Sequence, residues 1–208
     1  MRARSPLIAL AALVAVFLAG CGGDEPEAAE EAQPAADAAQ FERPGRVLRR
    51  GERASAVVET SQGGFAIELD TKGSPKTTNS FAFLAEEGFY EGLTFHRIDP
   101  GFTIQAGDPS GVGTGGPGYT VDEQPPPRTE YLRGTVAMAK TSAEPAGRSG
   151  SQFFIVVGAD AGLAPQYAVL GEVSADYPTV KRISELGDPV YGTPLEQVTI
   201  ESITIETR

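Results

Sequence analysis

Few residue types in this chain could carry chemistry. Among its 208 residues there is one histidine, His96, and one cysteine, Cys21. Zinc sites built from several Cys and His ligands are therefore excluded within one chain, and so is an intrachain disulfide. A Ser-His-Asp relay would have to use His96, and no motif supplies it with a partner. Gly147-Arg148-Ser149 comes near a nucleophile elbow, but Ser151 stands where that pattern requires glycine. Gly111-Val112-Gly113-Thr114-Gly115-Gly116 satisfies GxGxxG, yet Pro117-Gly118 follows at once and denies the helix start that a dinucleotide needs. That glycine run reads as a loop. What remains is the stretch FHRIDPGFTIQAGDP, in which His96 and Arg97 stand side by side.

If residues 93–98 are extended, side chains alternate: Phe95 and Arg97 share one face, His96 and Ile98 the other. Arginine is seldom buried unless paired, whereas a neutral histidine is tolerated inside when hydrogen-bonded. This places His96 in the core and Arg97 on the outer wall.

The elements that must position these residues are mostly short strands. Ala56–Thr60, Gly64–Asp70, Leu93–Ile98, Thr135–Ala139, Gln152–Val157, Ala168–Val173 and Val198–Ile205 are rich in β-branched or aromatic residues and bounded by turn formers. Two helices interrupt them. One is predicted after Ser74-Pro75, with Ser74 as cap, Pro75 in the first turn, Phe81, Leu84 and Ala85 on one face and Gly88 as stop. The other is Tyr177–Leu186, with Val180, Ile183 and Leu186 aligned. The pattern predicts a mainly β domain, a closed antiparallel barrel capped by two α-helices.

The flanking segments read differently. Arg2 and Arg4 precede the apolar run PLIALAALVAVFLAG, which is shorter than the roughly 20 residues a spanning helix needs and fits a secretory signal. Residues 22–42 hold seven acids and no base, a composition with nothing to bury. Residues 43–53 carry five arginines, read as a soluble junction rather than a lipid contact. The expected organisation is a signal over 1–20, a tether and basic junction over 21–53, and one domain over 54–208. The formal charge of −11 argues against nucleic acid as a partner. No heptad seam calls for association, so a monomer is expected.

Four strings carry a resemblance to a known family: FHRIDPGFTIQAGDPSGVGTGGPGY, GTVAMAK, GSQFFIVV and AVLGEV. From about Ala56 to the C-terminus the chain closely resembles the cyclophilins, peptidyl-prolyl cis/trans isomerases with a closed eight-stranded barrel. The resemblance implies that Arg97 is catalytic and that Gln105 orients it or the substrate. It implies that Phe102, Met138, Phe154 and Leu163 surround a substrate proline ring. Ala139, Lys140 and Thr141 would line the groove for the residues before that proline. Four positions depart from common family residues: Thr103, Lys140, Gly162 and Tyr167. Thr103 and Tyr167 remain in the expected substrate-binding set, whereas Gly162 replaces an aromatic and opens one pocket wall. Proline-containing polypeptides are the implied partners, and no cofactor is implied. The alternative is a non-catalytic module that captures proline segments on the same barrel. Separately, Leu18-Ala19-Gly20-Cys21 resembles a bacterial lipoprotein cleavage box, implying acylation of Cys21 and anchoring of an exported protein to a lipid bilayer. The enzymatic reading requires the Arg97 guanidinium to face the pocket, not to be drawn inward or sequestered by a carboxylate.

Overall fold

The computed structural model describes residues 40–208. The expected signal, the Cys21 lipidation site and most of the acidic tether lie outside the described residues.

Ten strands and two helices follow one another: β1 (Ala54–Thr60), β2 (Phe65–Leu69), α1 (Pro75–Glu86), β3 (Arg97–Asp99), β4 (Thr103–Ala106), β5 (Val121–Asp122), β6 (Thr135–Met138), β7 (Arg148–Ser149), β8 (Phe153–Val156), β9 (Val169–Ala175), α2 (Tyr177–Ser184) and β10 (Ile200–Thr207). Eight strands form one antiparallel sheet in the order β10-β1-β2-β9-β6-β8-β4-β3, and β5 pairs with β7 apart from it.

The fold is mainly β with two helices, as expected, but the sheet is open. The closed barrel is corrected: no ladder joins the end strands β10 and β3. The segment before β3 meets the start of β10 through one isolated bridge, Thr94 to Thr199, with the Phe95 N–H donating to Val198 and the Ile200 N–H to Leu93. The physical reason lies in Leu93–Ile98, which was expected to be one strand. Phe95 and Ile98 are both fully buried, three positions apart, so the chain cannot keep a two-residue alternation there. Extended pairing begins only at Arg97.

Curling the sheet gives it an inner face packed with Phe65, Ile67, Phe81, Tyr90, Phe95, Phe153 and Ile155. α1 presents Phe81, Leu84 and Ala85 to this core and lies against β10. Ser74 does not cap α1 with its side chain. The Glu123 carboxylate, from a distant loop, instead accepts from the Lys76 and Thr77 N–H groups at 2.9 and 2.8 Å, placing negative charge at the helix's positive end. α2 packs against β2, β3 and β4.

Residues 40–53 were expected to be tether and junction. They are packed on the domain instead. Leu48 is buried in the core, and Asn79 of α1 accepts from the Val47 and Leu48 N–H groups at 2.8 and 3.0 Å. All five arginines, Arg43, Arg46, Arg49, Arg50 and Arg53, remain exposed.

Candidate active site

Strand β8, Phe153-Phe154-Ile155-Val156, is buried at every position, so both of its faces are covered. Phe153 and Ile155 enter the core, while Phe154 and Val156 point the other way into a second apolar cluster with Tyr131 and Ala137. That second cluster is the floor of the site. Sheet register then decides what stands beside it. Arg97 lies opposite Gln105, Gln105 opposite Phe154, and Phe154 opposite Ala137. Residues directly opposite in antiparallel strands share a face, so these four form one row across β3, β4, β8 and β6.

A cavity of about 240 Å³ sits on this row, walled by Arg97, Phe102, Thr103, Gln105, Ala139, Lys140, Phe154, Leu163 and Tyr167. All nine belong to the set expected from the resemblance. Thr141 lies outside it and lines a larger neighbouring cavity of about 540 Å³, whose wall shares Gln105, Ala139 and Lys140 with the first. Met138 is corrected: it is 1% exposed and sits in the core. Its row is Met138, Phe153 and Ala106, one residue out of register with the site row and therefore on the opposite face.

Phe102 is delivered by a turn readable in the sequence. In Asp99-Pro100-Gly101-Phe102 the Phe102 N–H donates to the Asp99 carbonyl at 3.0 Å. Gly101 has φ +79°, the left-handed conformation that the third position of a type II turn requires after proline. Over the Phe102 ring, 5.4 Å from its centroid, lies the Arg97 guanidinium. One Arg97 terminal nitrogen donates to Asp99 at 2.9 Å and the other to the Thr103 hydroxyl at 3.3 Å.

This Asp99 pairing bears on the requirement that no carboxylate sequester the cation. The two side chains are 41% and 30% exposed, so the pair is worth only about 0.2–1 kcal/mol. It occupies one terminal nitrogen of a five-donor group that still forms part of the pocket wall. Asp99 orients the guanidinium and leaves donors for a ligand.

Gln105 donates from Nε2 to Gln152 at 2.9 Å, its own amide oxygen having no donor among the described residues, and Gln152 donates in turn to the Gly115 carbonyl at 2.9 Å. Lys140 folds over Tyr167, its ammonium 5.6 Å from the ring centroid, and donates to the Thr141 and Glu144 carbonyls. Phe154, Tyr131 and Tyr167 stack mutually, Phe154 on Tyr167 edge-on at 5.4 Å. The buried Tyr131 hydroxyl donates to the Tyr167 carbonyl at 2.7 Å and accepts from the Tyr167 N–H at 2.9 Å. Tyr131 thus fixes the loop carrying Leu163 and Tyr167.

His96 is half-buried rather than a core residue, because the alternation that would turn it inward is broken. Its Nδ1 has no hydrogen-bond partner among the described residues. Burial holds the imidazole below its ordinary value; Asp108 opposes this and the Arg97 charge adds to it. His96 lines neither cavity.

The glycine run is a loop, and its function is local. Asp108, 1% exposed, accepts from the Ser110, Thr114 and Gly115 N–H groups at 2.8, 3.0 and 2.9 Å, from the Gly113 N–H, and from the Ser110 hydroxyl. Burial alone would raise this carboxyl; the hydrogen bonds from Ser110 and Gly113, with His96 nearby, outweigh it and hold it below the usual value. The amide cradle that suggested phosphate is filled by the chain's own carboxylate. Asp108, Gln152 and Tyr131 had no assigned role in the sequence. The first two stand inside strings that carry the resemblance, whereas Tyr131 acts on a residue 36 positions away and leaves no local signal.

Residues 55–205 match the family described as cyclophilin type peptidyl-prolyl cis-trans isomerase/CLD. The chain is 37% identical over 183 residues to the probable peptidyl-prolyl cis-trans isomerase B of Mycobacterium tuberculosis, covering 79% of this chain and 58% of that relative. It therefore spans under three fifths of that protein's length. With peptidyl-prolyl cis-trans isomerase B of Streptomyces anulatus the identity is 37% over 175 residues, 76% of this chain and 99% of the relative. A crystal structure of a Cryptosporidium parvum cyclophilin type peptidyl-prolyl cis-trans isomerase superposes with a TM-score of 0.68 at 29% identity, covering 75% of this chain and 99% of that one. A second structure of the same protein, in the presence of the dipeptide Ala-Pro, gives 0.68 at 30% identity and covers 74% and 99%.

Proposed function

The chain belongs to the cyclophilin type peptidyl-prolyl cis-trans isomerase family, and from that premise we propose that it catalyses rotation about Xaa-Pro peptide bonds. One observation carries the reading. The sheet register sets a guanidinium donor and a carboxamide in line with an aromatic-floored cavity on the outer face.

The reaction asks for what this site contains. No bond is broken; the barrier of about 18–20 kcal/mol is amide resonance. Twisting the C–N bond localises the nitrogen lone pair, and a donor aimed at it favours the twisted state over both planar isomers. Arg97 supplies that donor, oriented by Asp99 and Thr103. Phe102, Phe154 and Leu163 hold the proline ring while the acyl side turns. The extended chain before the proline follows Ala139, Lys140 and Thr141 into the larger cavity. A five-decade acceleration needs roughly 7 kcal/mol. A charged hydrogen bond supplies about 1.5–3 kcal/mol, so immobilisation of the ring must contribute the remainder.

The test is exchange spectroscopy on a proline peptide, comparing wild type with Arg97→Ala. Accelerated exchange in wild type and a loss of about 10–150-fold in the folded variant support catalysis. Equal rates in the two proteins would leave only the alternative, a binding module.

For location, the reading is an exported lipoprotein acting on exported polypeptides. It rests on the short basic start, the apolar run and Leu18-Ala19-Gly20-Cys21. Incorporation of labelled fatty acid in cells, abolished by Cys21→Ser, is the expected result; an unlabelled wild type would refute it.

A further inference from the structure

The family match begins at residue 55, yet the arm before it reaches the groove. Phe41 packs against Phe83 and Phe89, with centroids 5.1 and 6.4 Å away. Asn79 holds the following turn, donating to the Gly45 carbonyl at 2.7 Å besides accepting from Val47 and Leu48. So anchored, the arm lies along the end of the glycine loop. The Phe41 N–H donates to the Pro117 carbonyl at 2.8 Å, and Gln40 Nε2 donates to the Gly116 carbonyl at 3.1 Å. A Cβ on Gly118 would stand 2.8 Å from both Gln40 Oε1 and the Phe41 carbonyl, so this approach depends on glycine, whose φ there is +92°.

This contact makes Gln40 a wall of the larger cavity, together with Thr120, Thr141, Glu144 and Gln152. Three carboxamides therefore run from the proline pocket to the arm. Gln105 donates to Gln152, Gln152 to Gly115, and Gln40 to Gly116. Both charged side chains of the lining are already engaged: Glu144 accepts from the N–H and the hydroxyl of Thr141, and the Lys140 ammonium donates to the Thr141 and Glu144 carbonyls. A neutral hydrogen-bonding side chain suits such a wall better than an acidic or an aliphatic one.

We propose that Gln40, on an arm outside the matched family region, is a specificity-determining residue that selects neutral polar side chains upstream of the substrate proline. The inference rests on the substrate groove proposed above and extends it to a residue that the family fold does not supply.

The experiment measures peptide affinity by NMR titration of the full chain, so it reads out with or without turnover; isomerisation is followed in parallel. The probes are a blocked Ala-Pro dipeptide and longer peptides with Gln or Leu placed two or three residues before the proline. Wild type should prefer Gln to Leu at one of these positions. Gln40→Leu and Gln40→Ala should erase about 3–10-fold of that preference while leaving dipeptide affinity within twofold. An unchanged preference, or an equal loss for the dipeptide and the long peptides, would overturn the proposal, the latter by showing that Gln40 only props the loop. Failure of wild type to accelerate exchange would instead sink the isomerase reading, with the affinity ratio still deciding the role of Gln40.

Discussion

In the proposed reaction Arg97 is the residue on which the chemistry turns, and its neighbours determine how replaceable it is. Asp99 and Thr103 take one donor each from a planar fork, and Phe102 lies under the guanidinium face. A lysine ammonium is a point charge and cannot keep both contacts while stacking on the ring. Arg97→Lys is therefore expected to lose nearly as much kcat/KM as Arg97→Ala, despite its retained charge. Recovery of more than half the wild-type value would show that charge alone suffices. Gly162 presents the converse case. A Cβ there would meet nothing within 4 Å, and no side chain stands where the resemblance implies an aromatic beside Leu163. Cyclosporin is expected to bind weakly for want of that aromatic, and nanomolar inhibition of isomerisation would contradict this. The role of Arg97 was implied by the resemblance, through the string FHRIDPGF in which it stands; strand alternation by itself gave only its outward face. The position of His96 was not, since the alternation rule presumes a strand that tertiary packing of Phe95 and Ile98 interrupts.

Among elements, the glycine loop shows the gap between motif and function most directly. Its amides fold around Asp108, so loop order is tied to one ionised carboxyl. The folded-state pKa of Asp108 lies below its ordinary value of 3.8. The stabilisation is therefore complete above the unfolded pKa and is lost as pH falls through the lower, folded one. The protection of the Gly113, Thr114 and Gly115 amides, relative to their intrinsic exchange at each pH, is expected to fall on acidification below the ordinary carboxyl value of 3.8, and Asp108→Asn should show weak protection already at pH 7. Protection that is independent of both would remove Asp108 as the organiser. The helices illustrate what local pattern can carry. The apolar face of α1 and its proline start were readable, but its N-terminal partner, Glu123, was not, because nothing local announces a carboxylate 46 or 47 positions away.

The described domain is built on an open sheet, with the segments leading into its end strands β3 and β10 joined by one isolated bridge. Ladders between full strands open cooperatively, whereas a seam of a few bonds can open alone. The Phe95 and Ile200 amides should exchange well before those of Val136 and Ile155 in the central strands, as hydrogen exchange would reveal. Simultaneous exchange at global-unfolding rates would mean that the seam behaves as a full ladder. The same sheet explains why one domain can hold two apolar clusters. Central strands such as β8 bury both faces, one against the helices and one beneath the site.

The sequence by itself determined the class of chemistry, the strand-rich domain with two helices and the identity of nearly every residue around the cavity. The strands and helices are written in residue type and short spacing, where sterics and periodicity act; the chemistry and the cavity residues were implied by the strings that resemble the family. Tertiary structure alone decided that Met138 turns to the core, that the sheet stays open and that residues 40–53 join the domain. It also decided that Asp99 holds Arg97 in place. Each of these depends on register or on contact between distant segments, and a one-residue offset between paired strands exchanges the faces of a sheet without leaving any mark in composition.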